Sequence, residues 1–379
     1  MQLFTRFPSL PRLFVVLCLT VAIKSCVTGR NRDHGEVVGV LGRKGWKMEA
    51  PFEMVFIPGG SFLTGAVDQD VATQVNPPRQ IAVSSLYVDK YPVTNNKYRQ
   101  FINTLLEEAA SEQEKYEEDE DTDEEEKEEV PSVIESTTDA DEASLSTAVT
   151  EEFVMQKLYP DMSVWQSDFD HHMADRMVEE YFESPAFDDF PVVGVDWEAA
   201  KYYTQWCSEY LNAYREDCDL YPMPKFRLPT AAEWTYVAKG GKEFAKYPWG
   251  GPYVRNATGE LLANFKSSRG NYGECGYECT SPVGHFAAND YGIYDLGGNV
   301  SEWTLDAYNP VAPAVAWDLN PVYLDEEESL KIIKGGSWKD IADRLRVDVV
   351  DHAHKNKRAS YIGFRRVMPH IGEEPLDKQ

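Results

Sequence analysis

The sequence predicts an α+β domain, turn-rich and low in regular secondary structure. Three observations carry that prediction. Short β-branched and aromatic runs, such as Met54-Val55-Phe56-Ile57, are bounded by glycine and proline. Two segments, behind Thr94 and behind Asp196, repeat apolar residues at helical spacing after a capping side chain. From Leu228 to Val367 the chain runs through glycine-rich turns, one compact helix and short strands, with no tandem repeat. At 379 residues, 42% hydrophobic and 12% aromatic, it can build a sizeable core.

Residues 1–25 read as an export leader. Arg6 and Arg12 precede Leu13–Ile23, an apolar run too short to span a bilayer but suited to a signal-peptide core. Ser25 supplies the small residue that cleavage needs. Cys26 then becomes the first mature residue and the expected lipid attachment point. Residues 26–50 read as a polar linker. The domain is expected over 51–368, with 369–379 as a tail. Strands are predicted at Met54–Ile57 and Ile81–Tyr91. One helix should bury Tyr98, Phe101, Ile102 and Leu105, and another Trp197, Ala200, Tyr203 and Trp206. A third, in "LPTAAEWTYVAKGG", should start on a Thr230–Glu233 capping box and end at Gly240-Gly241.

Charge is unevenly spread. The net charge is −27, which argues against nucleic-acid binding through a general field. Glu107–Glu129 holds 15 acidic residues and two lysines, whereas Lys331–Arg366 carries a net +6. Residues 107–152 are expected to be a disordered acidic insertion. It would be a solvated loop or a docking tail for a basic partner. Four cysteines follow the leader. In an exported protein they suggest disulfides, with Cys207–Cys218 and Cys275–Cys279 the favoured pairing of three.

The segments "RLPTAAEW", "YGIYDLGGNVSEW", "GGSW" and "IGFRRV", in that order, resemble the formylglycine-generating enzyme (sulfatase-modifying factor) family. The resemblance covers roughly 51–105 and 158–368 and implies a single domain of that fold. Enzymes of the family oxidise a substrate cysteine with a cysteine pair, placed soon after the GGS motif, that holds copper. Here Ser337–Arg346 contains no cysteine; Lys339, Asp340 and Arg344 stand there instead. Without thiolates there is neither a soft copper ligand nor a redox group. Gly336, Ser337 and Trp338 are therefore expected to form a relic active-site loop, with no copper and no turnover. Ser337 lacks the strand–turn–helix setting of a hydrolytic nucleophile. His171-His172 and His352-x-His354 are the only histidine clusters that could serve an oxidase of this fold, the competing functional reading. A sugar- or peptidoglycan-binding module is a third reading, weakened because most aromatic residues sit in motifs that read as buried.

The resemblance also implies calcium. Asp295, Gly298, Val300 and Glu302 match one family site and suit a hard, oxygen-seeking cation. Asn264, Phe265 and Tyr277 match part of a second, in which Cys275 stands where the family has aspartate. The pair Cys275–Cys279 would then brace what an ion braces elsewhere. A narrower resemblance, in "GVLGRKGW", "TNNKYRQFI", "LYPDMSVWQSDF" and "SPAFDDFPVVGV", is to the GldK/PorK lipoproteins, with GldJ close by. It implies a lipoprotein anchored on the periplasmic face of the outer membrane, part of the type IX secretion and gliding machinery. Such a protein would self-associate in a ring with a PorN/GldN-like partner.

Overall fold

A computed structural model describes residues 48–65, 78–120, 149–168, 174–325 and 327–372. Cys26, the leader, His171-His172 and residues 121–148 lie outside the described residues. The described chain from Glu49 to Gly372 belongs to one compact unit, Glu49–Glu374. Among the described residues no helix is long and apolar enough to cross a membrane.

The first block builds two small sheets. β1 (Met54–Ile57) pairs antiparallel with β4 (Leu86–Asp89), which pairs antiparallel with β9 (Val367–Pro369). β2 (Gly60–Thr64) and β3 (Arg79–Val83) form a separate hairpin. The single strand expected over Ile81–Tyr91 is therefore two strands in two sheets, broken at Ser84-Ser85. Asn320 holds that break: its Oδ1 accepts from the Ser84 amide at 2.7 Å and its Nδ2 donates to the Ser84 hydroxyl at 2.8 Å. A third sheet has the order β7 (Asp351–His354), β6 (Leu330–Lys334), β5 (Ser301–Ala307), β8 (Ile362–Gly363), with β5 and β8 parallel.

The helices begin where their caps predict. α1 spans Asn95–Glu120 and buries Tyr98, Phe101, Ile102, Leu105 and Ala109. α2 spans Trp197–Asp217 behind Asp196, whose Oδ1 accepts from the Ala199 amide. α3 spans Ala231–Lys239, with the full Thr230–Glu233 capping box and a left-handed Gly240. Tyr98 stacks on Tyr203 at 5.4 Å and Phe101 meets Tyr203 edge-on at 5.2 Å, which locks α1 to α2. α3 lies between β2–β3 and β5–β6. Its Trp234 and Val237 join Ile57, Phe62, Ile81, Val88, Leu296 and Val367 in the main core.

The acidic segment needs correction at both ends. The sequence reading placed disorder from Glu107, but helix α1 continues to Glu120. Glutamate, alanine, glutamine and lysine are good helix formers. A helix nucleated by buried Phe101 and Leu105 extends through them at little cost per residue. At the far end, Thr150 caps a new helical turn at Glu151–Phe153. The domain also reaches past 368, because Pro369 pairs with Leu86 in β9.

Candidate functional site

The loop after β6 is where chemistry would be sought. Gly335 and Gly336 both adopt left-handed backbone, with φ of 95° and 67°. A Cβ on Gly336 would lie 3.0 Å from the Arg344 carbonyl, so the turn closes only with glycine there. Ser337 is wholly buried. Its hydroxyl donates to Asp340 Oδ2 at 2.6 Å, and its amide donates to the same oxygen at 3.0 Å. Trp338 is buried, donates Nε1–H to the Ser360 carbonyl at 3.0 Å and stacks near Trp165. Leu345, also wholly buried, packs with Tyr247, Ala263 and Phe265. The span that would need two thiolates therefore holds a carboxylate clasped to a serine and an apolar core residue. Lys339 reaches over the Tyr361 ring, and Arg344 pairs with Asp351 at 3.3 Å. Gly336, Ser337 and Trp338 hold the loop in place and present no free nucleophile.

Three of the quoted motifs, joined by Asp89 of β4, converge on a buried ion pair. Glu302 accepts from Arg365 through both carboxylate oxygens, at 2.5 and 2.7 Å. Glu302 Oε2 also accepts from Trp234 Nε1 at 2.7 Å. Arg365 also donates to the carbonyls of Asp89 and Tyr294. Both members of the pair are 1% exposed. Beside it, Arg366 forms a bidentate pair with Asp89. The sequence analysis missed this knot. Its signal was available: two arginines between Phe364 and Val367 in an otherwise apolar stretch demand buried partners.

That knot corrects the calcium reading at Asp295, Gly298, Val300 and Glu302. Glu302 is already neutralised by a guanidinium, so it is not a spare ligand. Asp295 is buried and accepts from the Gly284 amide at 2.6 Å. Burial pushes its carboxyl up to about 6, only partly offset by that amide and by Arg365. Gly298 is left-handed, and a Cβ there would meet the Asn264 carbonyl at 2.4 Å, so this glycine serves close packing. One engaged carboxylate with neighbouring carbonyls falls short of the six to eight oxygens calcium takes. The residues do not fit the ion.

The second set does converge, but on sulfur. Cys275 Sγ donates to Asn264 Oδ1 at 3.1 Å and lies 3.5 Å from the Tyr277 carbonyl. Asn264 Nδ2 donates to the Cys279 carbonyl at 2.7 Å, and the Asn264 carbonyl accepts from the Asn299 amide. Phe265 is buried in the neighbouring apolar cluster. Asn264 and Tyr277 are thus brought together around a thiol, not a carboxylate. Burial raises the Cys275 thiol and pushes Cys279 up to about 12, so both stay protonated at neutral pH. All four cysteines are free thiols in the structure, which corrects both expected bridges. Cys207 and Cys218 cannot pair at all. Eleven positions apart along α2, they are separated by about 16 Å of helix rise, against a limit of roughly 7 Å between bridged Cα atoms.

His352 and His354 do share the exposed face of β7, but His352 is stacked on Tyr308 at 3.9 Å. Among the described residues no group of three or more His, Cys, Asp or Glu could hold a metal. A cavity of about 830 Å³ lies between β3, the start of α3 and the β5–β6 edge. Five charged groups on its wall are already engaged: Arg79 with Asp318, Arg346 and Asp348 with each other, Asp306 with the amides of Ala231 and Tyr323, and Lys334 with the carbonyls of Val347 and Val349.

Residues 46–369 match the sulfatase-modifying factor enzyme 1-like domain. The inactive C-alpha-formylglycine-generating enzyme 2 of Mus musculus is 28% identical over 332 residues, covering 82% of this chain and 84% of that protein. The formylglycine-generating enzyme of Bos taurus is 27% identical over 334 residues, 86% of this chain and 77% of its own length. Among solved structures, PvdO from Pseudomonas aeruginosa superposes with a TM-score of 0.54 at 19% identity, over 86% of this chain and 99% of that one. This last similarity concerns the fold alone.

Proposed function

The chain belongs to the sulfatase-modifying factor family, and we propose that it is a non-catalytic member acting as a structural lipoprotein. Anchored through Cys26 on the periplasmic face of the outer membrane, it assembles in a ring with a PorN/GldN-like partner of the type IX secretion and gliding machinery. One observation carries the non-catalytic reading. The segment 337–346 holds no cysteine, and Asp340 and Leu345 are committed to Ser337 and to the core. A fold with no thiolate in that loop has neither a soft copper ligand nor an electron donor there. That a curated relative of similar length is named inactive supports the same direction. The lipoprotein assignment is supported by Arg6, Arg12, Leu13–Ile23 and Ser25 ahead of Cys26.

The test is fractionation of the expressing organism. The reading expects the chain in outer-membrane detergent extracts, in a large complex with a GldN/PorN homologue, and released to the soluble periplasm by Cys26→Ser. Recovery of the wild type as a soluble monomer would overturn it.

A further inference from the structure

The loop 310–324, between β5 and β6, departs from the rest of the chain. The chain is 27% charged, yet Asp318 is the loop's one charged residue. Val311, Trp317, Leu319, Val322 and Leu324 all stand exposed, and Trp317 is 87% accessible. The loop is nonetheless fixed in shape. Arg79 donates to the carbonyls of Pro313, at 2.8 Å, and Ala316, and pairs with Asp318 at 2.6 Å. Ala82 of β3 exchanges two backbone hydrogen bonds with it, donating to Asp318 at 2.7 Å and accepting from Asn320 at 2.8 Å. The Tyr323 amide donates to Asp306 at 2.9 Å. The acids that follow are engaged locally: Asp325 accepts from the Tyr323 hydroxyl and the amides of Glu327 and Glu328, and Glu328 accepts from the Leu330 amide. A preformed apolar surface gives up little conformational entropy on docking.

Exposed apolar patches of this kind mark protein or membrane contact sites. Area, charge and residue type select the membrane. The five side chains offer on the order of 500 Å² of apolar surface. A specific protein interface needs roughly 800 Å² from each partner. Charge steers protein partners together, and here the sole charge is paired with Arg79. Tryptophan is favoured at bilayer interfaces, its ring toward the acyl chains and its N–H in the wet headgroup layer. Met48, where the described domain starts, stands 22 positions after Cys26. A chain of that length reaches at most about 75 Å, beyond the radius of gyration of about 20 Å for a domain this size. A tether at Cys26 therefore lets this loop meet the bilayer. We propose that the loop 310–324 is a second membrane contact, resting in the headgroup layer of a phospholipid bilayer with Trp317 and Leu319 inserted. A lipid anchor and a weak second contact together hold better than either alone. The inference rests on the proposed anchor for nearness to a bilayer, but not for the chemistry of contact.

The test uses the full mature chain with a polyhistidine tag in place of Cys26. It is tethered to phosphatidylcholine vesicles that carry a nickel-chelating lipid and brominated acyl chains, which quench tryptophan on contact. Wild-type fluorescence should fall relative to unbrominated vesicles, and Trp317→Phe should remove most of that fall. In flotation without the chelating lipid, Trp317→Ser should lower the vesicle partition about tenfold, the loss of one large apolar side chain. Added salt should leave the partition unchanged, since the contact is apolar. Circular dichroism and melting should stay as in the wild type, since the ring is exposed. No wild-type quenching, or equal quenching in the wild type and Trp317→Phe, would overturn the proposal. So would a lipid-free dimer that Trp317→Ser dissociates, which would give the loop to a second copy of the chain. Fractionation reports separately on the anchor. A chain quenched on vesicles but recovered from the organism as a soluble monomer would sink the functional reading and leave this surface standing; one held in outer membranes yet unquenched would do the reverse.

Discussion

Replacing Glu302 with glutamine is the sharpest probe of the fold's centre. The side chain keeps its shape, but Arg365, 1% exposed and ringed by Glu302 and the carbonyls of Asp89 and Tyr294, loses the carboxylate that it grips through two hydrogen bonds. Leaving one partner of a buried pair uncompensated costs about 3–5 kcal/mol. The exposed pair Arg79–Asp318, with side chains 29% and 76% accessible, serves as control, and Asp318→Asn should cost at most about 1 kcal/mol. Urea unfolding followed by tryptophan fluorescence reads both. Arg365→Met combined with Glu302→Met should recover much of the loss, since the destabilisation comes from the orphaned charge. Calcium or a chelator should leave the wild-type midpoint unshifted. A Glu302→Gln cost under about 1 kcal/mol, or a calcium-dependent rise that this variant abolishes, would refute the reasoning and restore Glu302 as a metal ligand.

Trp338→Ala should destabilise by about 3–5 kcal/mol, as a large buried side chain leaves a cavity in the loop's packing; an unfolding midpoint equal to wild type would show the loop to be free. Asp295 has its carboxyl raised to about 6 by burial, so the folded state holds its proton more tightly than the unfolded chain. Its contribution is therefore present below the unfolded value, near 4, and is lost as pH rises through about 6. Asp295→Asn should flatten that decline between pH 4 and 6 in a series of urea midpoints, and an unchanged slope would contradict it. Maleimide without reductant should label Cys218 quickly and Cys207 only on unfolding, since one thiol is exposed and the other buried. Labelling of fewer than four mature-domain cysteines in denaturant, Cys26 aside, would reveal a bridge.

Much of this fold was legible. The caps at Thr94, Asp196 and Thr230 are local rules, satisfied within a few residues of each helix start, and each marks its helix. The missing cysteines in 337–346 were plain in the sequence itself. What could not be read depends on distant partners. Glu302 looked like a metal ligand because its residue type and spacing suit calcium, yet Arg365, 63 positions away, occupies it. The reach of α1 into acidic sequence was hidden because net charge argues for disorder, whereas propensity and a packed nucleus argue for helix. The split of Ile81–Tyr91 into two sheets depends on Asn320, over two hundred residues downstream.

The central claim is that a loop without thiolates cannot run the family's oxidation. Copper(I) should be loaded onto the purified mature chain in excess, the unbound metal removed, and the metal content and oxygen uptake measured with a cysteine-containing peptide. The account predicts no stoichiometric copper and no oxygen consumption above buffer. One copper per chain with peptide-dependent oxygen uptake would contradict it.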